Sequence, residues 1–375
     1  MKTYVASHLK DMNRRKVYRI LSERDVTSKS EISRLTEISA PTVIKIINFF
    51  QEKGLVEDLG EGEAVLGRKP QMLRIRKNRY YAVGVIFEGD YLKLGITNLR
   101  NEIVCLKKTR VREPFEKIMS STLYHRINEL LVESNILLSD VLGIGIGLPG
   151  IYDANNQTII MAPLIGIEEK TDISSMIQSL EERYHLPVLV DNDLNMEVQG
   201  EFISKHLTER DDLIYLSIGT GIGSGVMLNG KLRRGIRYMC GEVGYMSFQP
   251  DYETAVSKMG WLEGQANINA LCKQYHLDSL SDLDETTRQE AIQHVSDCVA
   301  MCINNMIMCY DCGYFSVGGE MFHLLGEELF DAISQKVKKL SVLEPNLYRA
   351  VGGEPGVIGA AGVVLTAEMN RMLEE

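Results

Sequence analysis

The stretch VLVDNDLNMEVQGE, residues 188–201, changes character at its fourth residue. Three apolar residues typical of a buried strand precede a polar run that leads into a helix. A strand followed directly by a helix is the repeating unit of α/β folds. The polar residues at the junction are Asp191, Asn192, Asp193 and Asn195. They either hold a ligand or include a carboxylate that removes a proton.

The same alternation of strands and helices continues on both sides of this stretch. Residues 81–111 contain three β-rich segments separated by EGD and NLRNE, which predicts a meander. Residues 212–232 predict two more strands around a glycine-rich turn. We predict further strands at 141–150 and 314–319, and helices at 114–134, 174–185, 257–276, 286–310 and from Gly356 onward. Two similar halves of this kind predict two lobes with a cleft between them.

Length and composition bound the class of protein. A chain of 375 residues is too long for one ordinary core, so we expect two or three domains. No apolar run approaches the length that a bilayer crossing needs. Residues 1–20 lack the short apolar core of a secretion signal. We therefore expect a cytoplasmic protein without a membrane partner.

Charge divides the chain into two parts of opposite sign. Residues 1–79 hold 17 Lys and Arg against 10 Asp and Glu, whereas the remainder holds 24 against 41. A basic head on an acidic body indicates that only the head contacts a polyanion. The acidic body would be repelled by DNA.

The basic head begins with two short helical patterns. Residues 12–21 carry apolar side chains at the spacing of an amphipathic helix. In residues 27–38, Ser28 and Glu31 have the spacing of a capping box, which predicts the start of a second helix. The head therefore opens with two helices.

A third helix is predicted from SAPTVIKIINFFQEKG, residues 39–54. Ser39 suits the N-cap, and Gly54 suits a left-handed residue at the helix end. Two short helices joined by a tight turn have the geometry of a helix-turn-helix, whose second helix enters the major groove of DNA. We expect its outward residues Ser39, Thr42 and Lys45 to contact DNA.

Residues 55–76 are typical of two strands around a glycine-rich loop, the wing of a winged helix. Arg68 and Lys69, in the sequence GRKP, lie at the tip or flank of this loop, where cations can enter a narrow minor groove. The alternative is a small helical bundle for protein contacts, with a solvated loop. Charge, caps and wing together favour DNA binding.

The seven cysteines are odd in number and lie mostly in apolar context, which predicts reduced thiols rather than disulfides. Cys298, Cys302, Cys309 and Cys312 fall on one face of a helix, if a helix extends that far. A metal or redox site is one interpretation. Four small residues packed on an apolar face is the favoured one.

Several stretches resemble the ROK family of repressors, open reading frames and sugar kinases. They are SEISRLTEISAPTVIKII and GRKP in the head, then GIGIGLPGIYD, VDNDLNMEVQGE, LSIGTGIGSGVMLNGKLRRG, GEVGYM, GWLEGQAN, SVGGE and GVIGAAGVVL. One glycine-rich turn alone is weak evidence, but the order and number of the stretches argue against a chance match. The chain is most similar to the repressor branch, which includes xylose- and N-acetylglucosamine-responsive repressors.

The resemblance implies an α/β fold in which a winged helix-turn-helix precedes a two-lobed, actin-like body with a sugar in the cleft. We expect the DNA-binding domain at 1–77 and the ROK ligand-binding domain at 78–375. Within the latter, lobe 1 would comprise about 78–192 and 356–375, and lobe 2 about 193–355.

The resemblance also implies which residues bind the sugar. Asn192 and Asp193 match the family's sugar-contacting pair, and Asp193 is the position of the base in its kinases. Glu242 and Glu263 match two further hydroxyl-binding carboxylates, and Tyr245 completes the expected set. Carboxylates accept hydrogen bonds from sugar hydroxyls in a geometry-selective way. The alternative is that Asp193 and Glu242 cap helices or pair with surface cations.

The chain departs from the family's kinases at the first strand of the body. Those kinases have an acidic residue followed by glycines there, whereas residues 84–91, GVIFEGDY, have Ile86. Ile86 cannot hold a metal shell, and Glu88 would repel phosphate. The second glycine-rich turn, 219–223, remains, with a tight hairpin as its favoured role. We predict no catalytic residue and no cofactor, so that Asp193 binds a hydroxyl without transferring a proton.

Two further departures concern zinc and the sugar pocket. Tyr245 stands where family members often have a zinc-binding His, and no cysteine remains at the family spacing, so we predict no metal site. We expect Trp261 to order the 246–262 loop by packing instead. Leu164 stands where the family often has Asn, so the ligand is either an atypical sugar or weakly bound.

The residues and the resemblance together predict a transcriptional regulator of carbohydrate-utilisation genes, with repression favoured over activation. A sugar would shift the balance between lobe conformations, and with it the spacing of two heads on a double-stranded operator. A homodimer or higher homo-oligomer is expected. The main alternative is an active sugar kinase with a regulatory head, and a second is a constitutive DNA-binding protein with an empty cleft.

Overall fold

The computed structural model describes residues 6–62, 69–254, 259–343, 345–350 and 352–374. The chain divides into two compact units. Unit 1 comprises Met1–Ile146, Ser175–Leu189 and Ala360–Glu375, and unit 2 comprises Gly147–Ser174 and Val190–Gly359. The predicted boundaries of the DNA-binding and ligand-binding domains stay a prediction.

Helices and strands alternate along most of the described chain. The helices are α1 (Ala6–Glu23), α2 (Lys29–Thr36), α3 (Ala40–Glu52), α4 (Phe115–Lys117), α5 (Leu123–Glu133), α6 (Ser174–Tyr184), α7 (Asp193–Ser204), α8 (Trp261–Ala266), α9 (Ile268–Tyr275), α10 (Glu285–Tyr310), α11 (Met321–Leu325), α12 (Glu327–Leu340) and α13 (Pro355–Glu374). The strands are β1 (Thr27–Ser28), β2 (Val56–Glu61), β3 (Gln71–Ile75), β4 (Tyr81–Glu88), β5 (Tyr91–Asn98), β6 (Ile103–Arg110), β7 (Val141–Leu148), β8 (Ile151–Asp153), β9 (Thr158–Met161), β10 (Thr171–Asp172), β11 (Val188–Asn192), β12 (Leu213–Ile218), β13 (Ile222–Leu228), β14 (Lys231–Leu232), β15 (Tyr314–Gly318) and β16 (Asn346–Arg349). This alternation confirms the predicted α/β class.

The head consists of α1, α2, α3 and a small antiparallel sheet in which β3 lies between β1 and β2. The β2–β3 pairing runs from Val56 opposite Ile75 to Glu61 opposite Gln71. Three helices followed by a two-stranded ribbon form a winged helix-turn-helix, as the sequence predicted.

The predicted helix ends at Ser28 and Gly54 are present, whereas Ser39 precedes α3 without a side-chain capping bond. The Ser28 hydroxyl accepts a 3.2 Å hydrogen bond from the backbone N–H of Glu31 at the start of α2. After α3, Gly54 has a φ of 72°. The N–H of the buried Leu55 then donates a 2.8 Å bond to the carbonyl oxygen of Phe50. A left-handed glycine followed by this bond is a Schellman termination, which stops α3 at the start of the wing.

A five-stranded sheet with the order β11-β7-β4-β5-β6 follows the head. The antiparallel pairing of β4 with β5 and of β5 with β6 confirms the predicted meander. The helix predicted at 114–134 is interrupted, because a π-helical turn at Ile118–Thr122 lies between α4 and α5.

The helix α13 contributes to the interior of the head. Its apolar face shares one buried cluster with Val17 of α1, Ile32 of α2 and Ile47 of α3. The contributing residues of α13 are Ala361, Val364, Leu365, Met369 and Leu373. The core of the head therefore combines helices that lie more than 300 residues apart in sequence.

Unit 2 contains a three-layer α/β/α arrangement. Its main sheet has the order β14-β13-β12-β15-β16, with β12 antiparallel to β13 and parallel to β15. Alternate residues of β12 point to opposite faces, so Leu213 packs with Val198 of α7, and Ile214 packs with Val299 of α10. A second, smaller sheet has the order β10-β9-β8.

Two expectations about this unit need correction. The helix predicted at 257–276, whose first two residues lie outside the described ranges, breaks at Asn267. The Asn267 Oδ1 accepts a 2.6 Å bond from the N–H of Ala270 and so begins α9. The prediction that four cysteines pack on one apolar face of a helix is also wrong in part. Cys298 and Cys302 are buried, but Cys309 is exposed on the uncovered last turn of α10, and Cys312 lies beyond the helix.

Among the described helices, none combines the length and apolarity that a bilayer crossing requires.

Candidate ligand site and DNA-binding surface

Helix α7 begins at the strand–helix junction where the candidate residues lie. The Oδ1 of Asn192 accepts a 3.0 Å hydrogen bond from the N–H of Asn195, which makes Asn192 the N-cap. Its Nδ2 donates a 2.7 Å bond to the carbonyl oxygen of Gly150. These bonds fix the amide and leave it one N–H and one lone pair for a ligand.

Asp191 has a structural role that the sequence did not reveal. This carboxylate is 3% exposed, and its Oδ2 accepts a 2.8 Å hydrogen bond from Nε of Arg234 and lies 2.6 Å from Nη2 of the same residue in an ion pair. Its Oδ1 accepts 2.8 Å bonds from Nδ2 of Asn195 and the N–H of Asn192. Three hydrogen bonds and the ion pair satisfy the buried charge. Asp191 and Arg234 are 43 residues apart, and no spacing rule connects them.

The carboxyl group of Asp193 lies half-buried in the first turn of α7. Its Oδ1 accepts a 2.9 Å bond from the N–H of Leu194. Burial raises the pKa of Asp193 well above its usual value, and the charges of Glu197 and Glu242 raise it further. Asp193 therefore retains a proton more readily than a solvated aspartate.

Two more carboxyl groups and a phenol surround this position. Glu242 immediately precedes the 3₁₀ turn Val243–Tyr245, and Glu263 lies in the first turn of α8. Burial, and then the charge of Glu263, raise the pKa of Glu242 to about 7. Burial also raises the pKa of Glu263 and of Tyr245, and both glutamates add to the effect on Tyr245.

We call Asp193, Glu242 and Glu263 the acid cluster. The charge of Glu242 raises the pKa of Asp193, that of Glu263 raises the pKa of Glu242, and both glutamates raise the pKa of Tyr245. These effects agree with the predicted grouping of the residues in unit 2, and the grouping stays a prediction. Glu242 makes no side-chain capping bond to the 3₁₀ turn that follows it, and burial raises its pKa. Contact of these residues with a sugar stays a prediction.

Glycines make room for the cluster. A β-carbon on Gly221 would lie 3.3 Å from Oε1 of Glu263, and one on Gly244 would lie 3.3 Å from Oε2. A β-carbon on Gly260 would lie 2.0 Å from the carbonyl oxygen of Gly244. The segment before α8 therefore packs against the 3₁₀ turn backbone to backbone, which only glycine permits.

The glycine-rich turn at 219–223 closes the β12–β13 hairpin. The N–H of Gly219 donates a 2.9 Å bond to the carbonyl oxygen of Gly221. Nδ2 of Asn267 donates a 3.0 Å bond to the carbonyl oxygen of Thr220, which anchors the turn to the start of α9. This geometry agrees with the tight hairpin that we predicted.

Ile86 and Glu88 lie in β4 of unit 1. Ile86 is buried at 5% exposure. Glu88 pairs with Lys93 at 3.1 Å and with Lys108 at 2.8 Å. The expectation that Glu88 presents an uncompensated charge to phosphate is therefore wrong, since two lysines neutralise it. Ile86, whose side chain offers no metal ligand, remains the feature of β4 that disfavours phosphate binding.

Trp261 packs as expected. Its ring meets Phe248 edge-to-face at 5.2 Å, and its Nε1 donates a 3.2 Å bond to Oε1 of Gln249. Within the described ranges, no group of three or more His, Cys, Asp or Glu side chains has the arrangement of a metal site. The predicted lack of zinc stays a prediction, as does the role of Leu164, which is 56% exposed.

The outward face of α3 is polar. Ser39 and Lys45 are exposed, and Thr42 is half-buried. The hydroxyl groups of Ser39 and Thr42 share a 2.9 Å hydrogen bond. Lys69 is exposed beside the wing, and Arg68 lies outside the described residues. The geometry leaves the first turn of α3 available to DNA, but contact of these five residues with DNA stays a prediction.

Solved structures share this architecture. A ROK family transcriptional regulator, described as a homologue of the Escherichia coli MLC protein, aligns over 98% of both chains with a TM-score of 0.78 and 18% identity. A ROK family glucokinase from Streptomyces griseus, in complex with glucose and AMPPNP, covers 76% of this chain and 98% of its own, with a TM-score of 0.61 and 22% identity. The likenesses define the class of fold: a winged helix-turn-helix followed by an actin-like, sugar-kinase-like body.

The sequence profile of the ROK family matches residues 82–367, and a winged helix-turn-helix DNA-binding profile matches residues 10–57. The chain belongs to the ROK family. It is 29% identical to the xylose repressor of Caldicellulosiruptor bescii over 308 residues, 78% of this chain and 76% of that protein.

Two further relatives match over a smaller share of their length. The xylose repressor of Bacillus subtilis is 29% identical over 64% of this chain and 61% of its own length. The DNA-binding transcriptional dual regulator NagC of Escherichia coli is 21% identical over 64% of this chain and 59% of its own length. The chain thus spans about three fifths of these two proteins.

Proposed function

We propose that the chain is a DNA-binding transcriptional repressor whose operator affinity is set by a sugar bound at the acid cluster. One observation carries this proposal: the same chain has a winged helix with an exposed polar face and, in unit 2, the half-buried carboxyls Asp193, Glu242 and Glu263. Relatives named xylose repressor, together with a dual regulator, support a sugar-responsive role in transcription.

The DNA arm of the proposal assigns the first turn of α3 to the major groove. Ser39 and Thr42 offer hydroxyls to a base edge or a backbone phosphate. Lys45, Lys69 and Arg68 supply positive charge. A homodimer would place two such heads on half-sites about one helical turn, or a multiple of it, apart.

The sugar arm assigns the acid cluster to the hydroxyls of a pyranose. A sugar ring presents several O–H donors, and Asp193, Glu242 and Glu263 supply acceptor oxygens in fixed positions. Asn192 adds one N–H donor, and Tyr245 adds an aromatic wall. A ligand that binds one conformation better changes operator affinity, and a coupling of about 1–3 kcal/mol corresponds to roughly 5- to 150-fold.

The test is a titration of labelled DNA from the region upstream of the gene, followed by fluorescence anisotropy with and without a sugar panel. D-Xylose, D-glucose and N-acetyl-D-glucosamine are suitable probes, each with its phosphorylated form. We expect one of them to change operator affinity at least about fivefold. Binding that no sugar alters would remove the sugar arm, and binding equal to that of scrambled DNA would remove the DNA arm.

An active sugar kinase is the second candidate, and the raised pKa of Asp193 is the observation that favours it. A carboxyl group with a raised pKa is a better base for a sugar hydroxyl. Against this stands Ile86, which offers no ligand for the metal ion that accompanies a transferred phosphoryl group. A coupled assay for ADP release with the same panel decides, and we expect no turnover above the protein-free rate.

A further inference from the structure

We propose that Arg234 is a positioning residue of the sugar site, which ties the first turn of α7 to the segment that carries Glu242. The inference rests on the proposed function for its meaning, but its geometry lies wholly within unit 2. Arg234 itself touches no predicted sugar-binding residue. It acts through Asp191 on one side and through its own backbone on the other.

On the first side, Arg234 fixes the start of α7 through Asp191. Both Nε and Nη2 converge on Oδ2 of Asp191, which frees Oδ1 for Asn195 and for the N–H of Asn192. Those two bonds hold the N-cap in register with the helix. Asp193 is the next residue, so its carboxyl position depends on this arrangement.

On the second side, Arg234 closes the loop that leads to Glu242. Its carbonyl oxygen accepts a 3.1 Å hydrogen bond from the N–H of Cys240, two residues before Glu242. Gly235, with a φ of 74°, allows the chain to turn back on itself at this point. Arg234 therefore links two members of the acid cluster that are 49 positions apart in sequence.

The ends of this loop are also fixed to the sheet. The N–H of Arg233 donates a 2.8 Å bond to the carbonyl oxygen of Val226, and the N–H of Ser224 donates a 2.7 Å bond to that of Gly241. Val226, which accepts the first bond, and Ser224, which donates the second, both lie on β13. The Asp191–Arg234 pair joins this anchored loop to the residue before the N-cap of α7. Helix α7 also packs directly on β13 through Leu194 and Val198. Loss of the pair would therefore release the Asp191 carboxylate and the N-cap while that packing remains.

An arginine is needed here because its planar guanidinium presents two N–H groups to one carboxylate. A lysine keeps the charge but offers a point donor without this geometry. Removal of the cation alone leaves Asp191 buried and unpaired, which is the costly half of breaking an ion pair. A neutral pair with Asn at 191 avoids that cost.

The test compares sugar affinity in Arg234→Lys, Arg234→Gln and the double variant Arg234→Gln with Asp191→Asn. Calorimetric titration with D-xylose and with N-acetyl-D-glucosamine gives the dissociation constants. We expect Arg234→Lys to raise the constant at least about tenfold. Arg234→Gln should raise it further, and the double variant should recover part of that loss.

Arg288→Lys is the matched control. Arg288 also lies in unit 2 and donates through Nη2 to the carbonyl oxygen of Leu325, but it joins α10 to α11 and has no contact with the acid cluster. We expect it to leave sugar affinity within about twofold of the unmodified chain. If Arg288→Lys and Arg234→Lys weaken sugar binding equally, or neither does, Arg234 has a merely structural role.

Failure of both sugars to bind the unmodified chain would count against the sugar arm of the proposed function alone. A second measurement tests the positioning role of Arg234 even in that case. Hydrogen–deuterium exchange reports directly on the N–H groups of Asn195 and Cys240. In Arg234→Lys we expect both to exchange at least about tenfold faster, with α10 unchanged. Unchanged exchange at both positions overturns the positioning role.

Discussion

Arg14 in α1 binds the end of α13: its Nη1 donates a 2.8 Å hydrogen bond to the carbonyl oxygen of Leu373. The guanidinium carbon lies 3.5 Å from the centre of the Phe49 ring, and the residue is 7% exposed. The last carbonyl groups of a helix lack intrahelical partners, and a cation there also complements the helix dipole. Arg14 thus satisfies a helix end inside the head.

We predict that Arg14→Met lowers the free energy of unfolding by about 1.5–3 kcal/mol, because a charge-assisted hydrogen bond and a ring contact are lost while the volume is kept. Urea denaturation measures the change. Lys16→Ala, on the exposed side of the same helix, is the control and should stay within about 0.5 kcal/mol of the unmodified chain. Equal stabilities of the two variants would contradict the role of Arg14.

Gly359→Ala should destabilise unit 2. A β-carbon at this position would lie 1.7 Å from the carbonyl oxygen of Met196, so α13 and α7 could no longer approach. Overpacking of this kind costs about 1–3 kcal/mol, and more when backbone must move. Gly313→Ala is the control, since no atom lies within 4 Å of its added carbon. Thermal melting measures the stability of both variants. If Gly359→Ala has the same melting temperature as Gly313→Ala, the close contact between α13 and α7 is refuted.

Lys45→Ala should weaken operator binding without changing sequence preference. Loss of one phosphate contact makes the dependence of log affinity on log salt shallower by about one unit. Anisotropy titrations at several salt concentrations measure this slope. Lys170→Ala, an exposed lysine of unit 2, should leave the slope unchanged. A slope that Lys45→Ala does not alter places this side chain away from DNA.

Asp193→Asn should abolish the response of operator binding to sugar. The amide has the shape of the carboxyl but cannot accept hydrogen bonds through both terminal atoms, so one sugar hydroxyl loses its partner. Operator affinity in the absence of sugar should remain that of the unmodified chain. Glu169→Gln, an exposed neutralisation in the same unit, controls for charge. A normal sugar response in Asp193→Asn would remove this residue from the site.

The raised pKa of Glu242 predicts that the stability of the chain depends on pH. Its pKa is raised from 4.5 to about 7, so between these values the folded chain holds a proton that the unfolded chain has lost. This contribution is fully present below pH 4.5 and is lost as the pH rises through 7. The free energy of unfolding should therefore fall from pH 5 to pH 8, by up to about 3 kcal/mol from this group. Glu242→Gln should fall less steeply, and identical slopes would refute the burial of the charge.

Much of the fold could be predicted because local signals agreed with tertiary packing. The helix α3 is an example: Val43, Ile47 and Phe50 recur at helical spacing in the sequence, and all three are fully buried. The strands β4, β7 and β12 could be predicted in the same way, because apolar residues and glycines occupy most of their positions. Helices and strands of this kind can be recognised from about ten residues of sequence.

Other features could not be predicted because their cause is distant in sequence. The small β8–β9–β10 sheet has strands of three, four and two residues, too short for a periodic pattern. The exposure of Cys309 depends on where neighbouring elements stop covering α10, although its spacing from Cys298 is that of one face. For the candidate site, the family resemblance predicted the three residues of the acid cluster. The contact between Asp191 and Arg234 could be found only from the structure.

The contribution of α13 to the core of the head constrains any effort to transplant DNA specificity. A chimera that exchanges residues 1–77 alone would leave Ala361, Val364, Leu365, Met369 and Leu373 facing unfamiliar partners. Recognition modules from other regulators would have to be grafted as a pair, with the matching terminal helix included. A substitution that changes side-chain volume in the first helices would likewise require a compensating change near the carboxyl terminus.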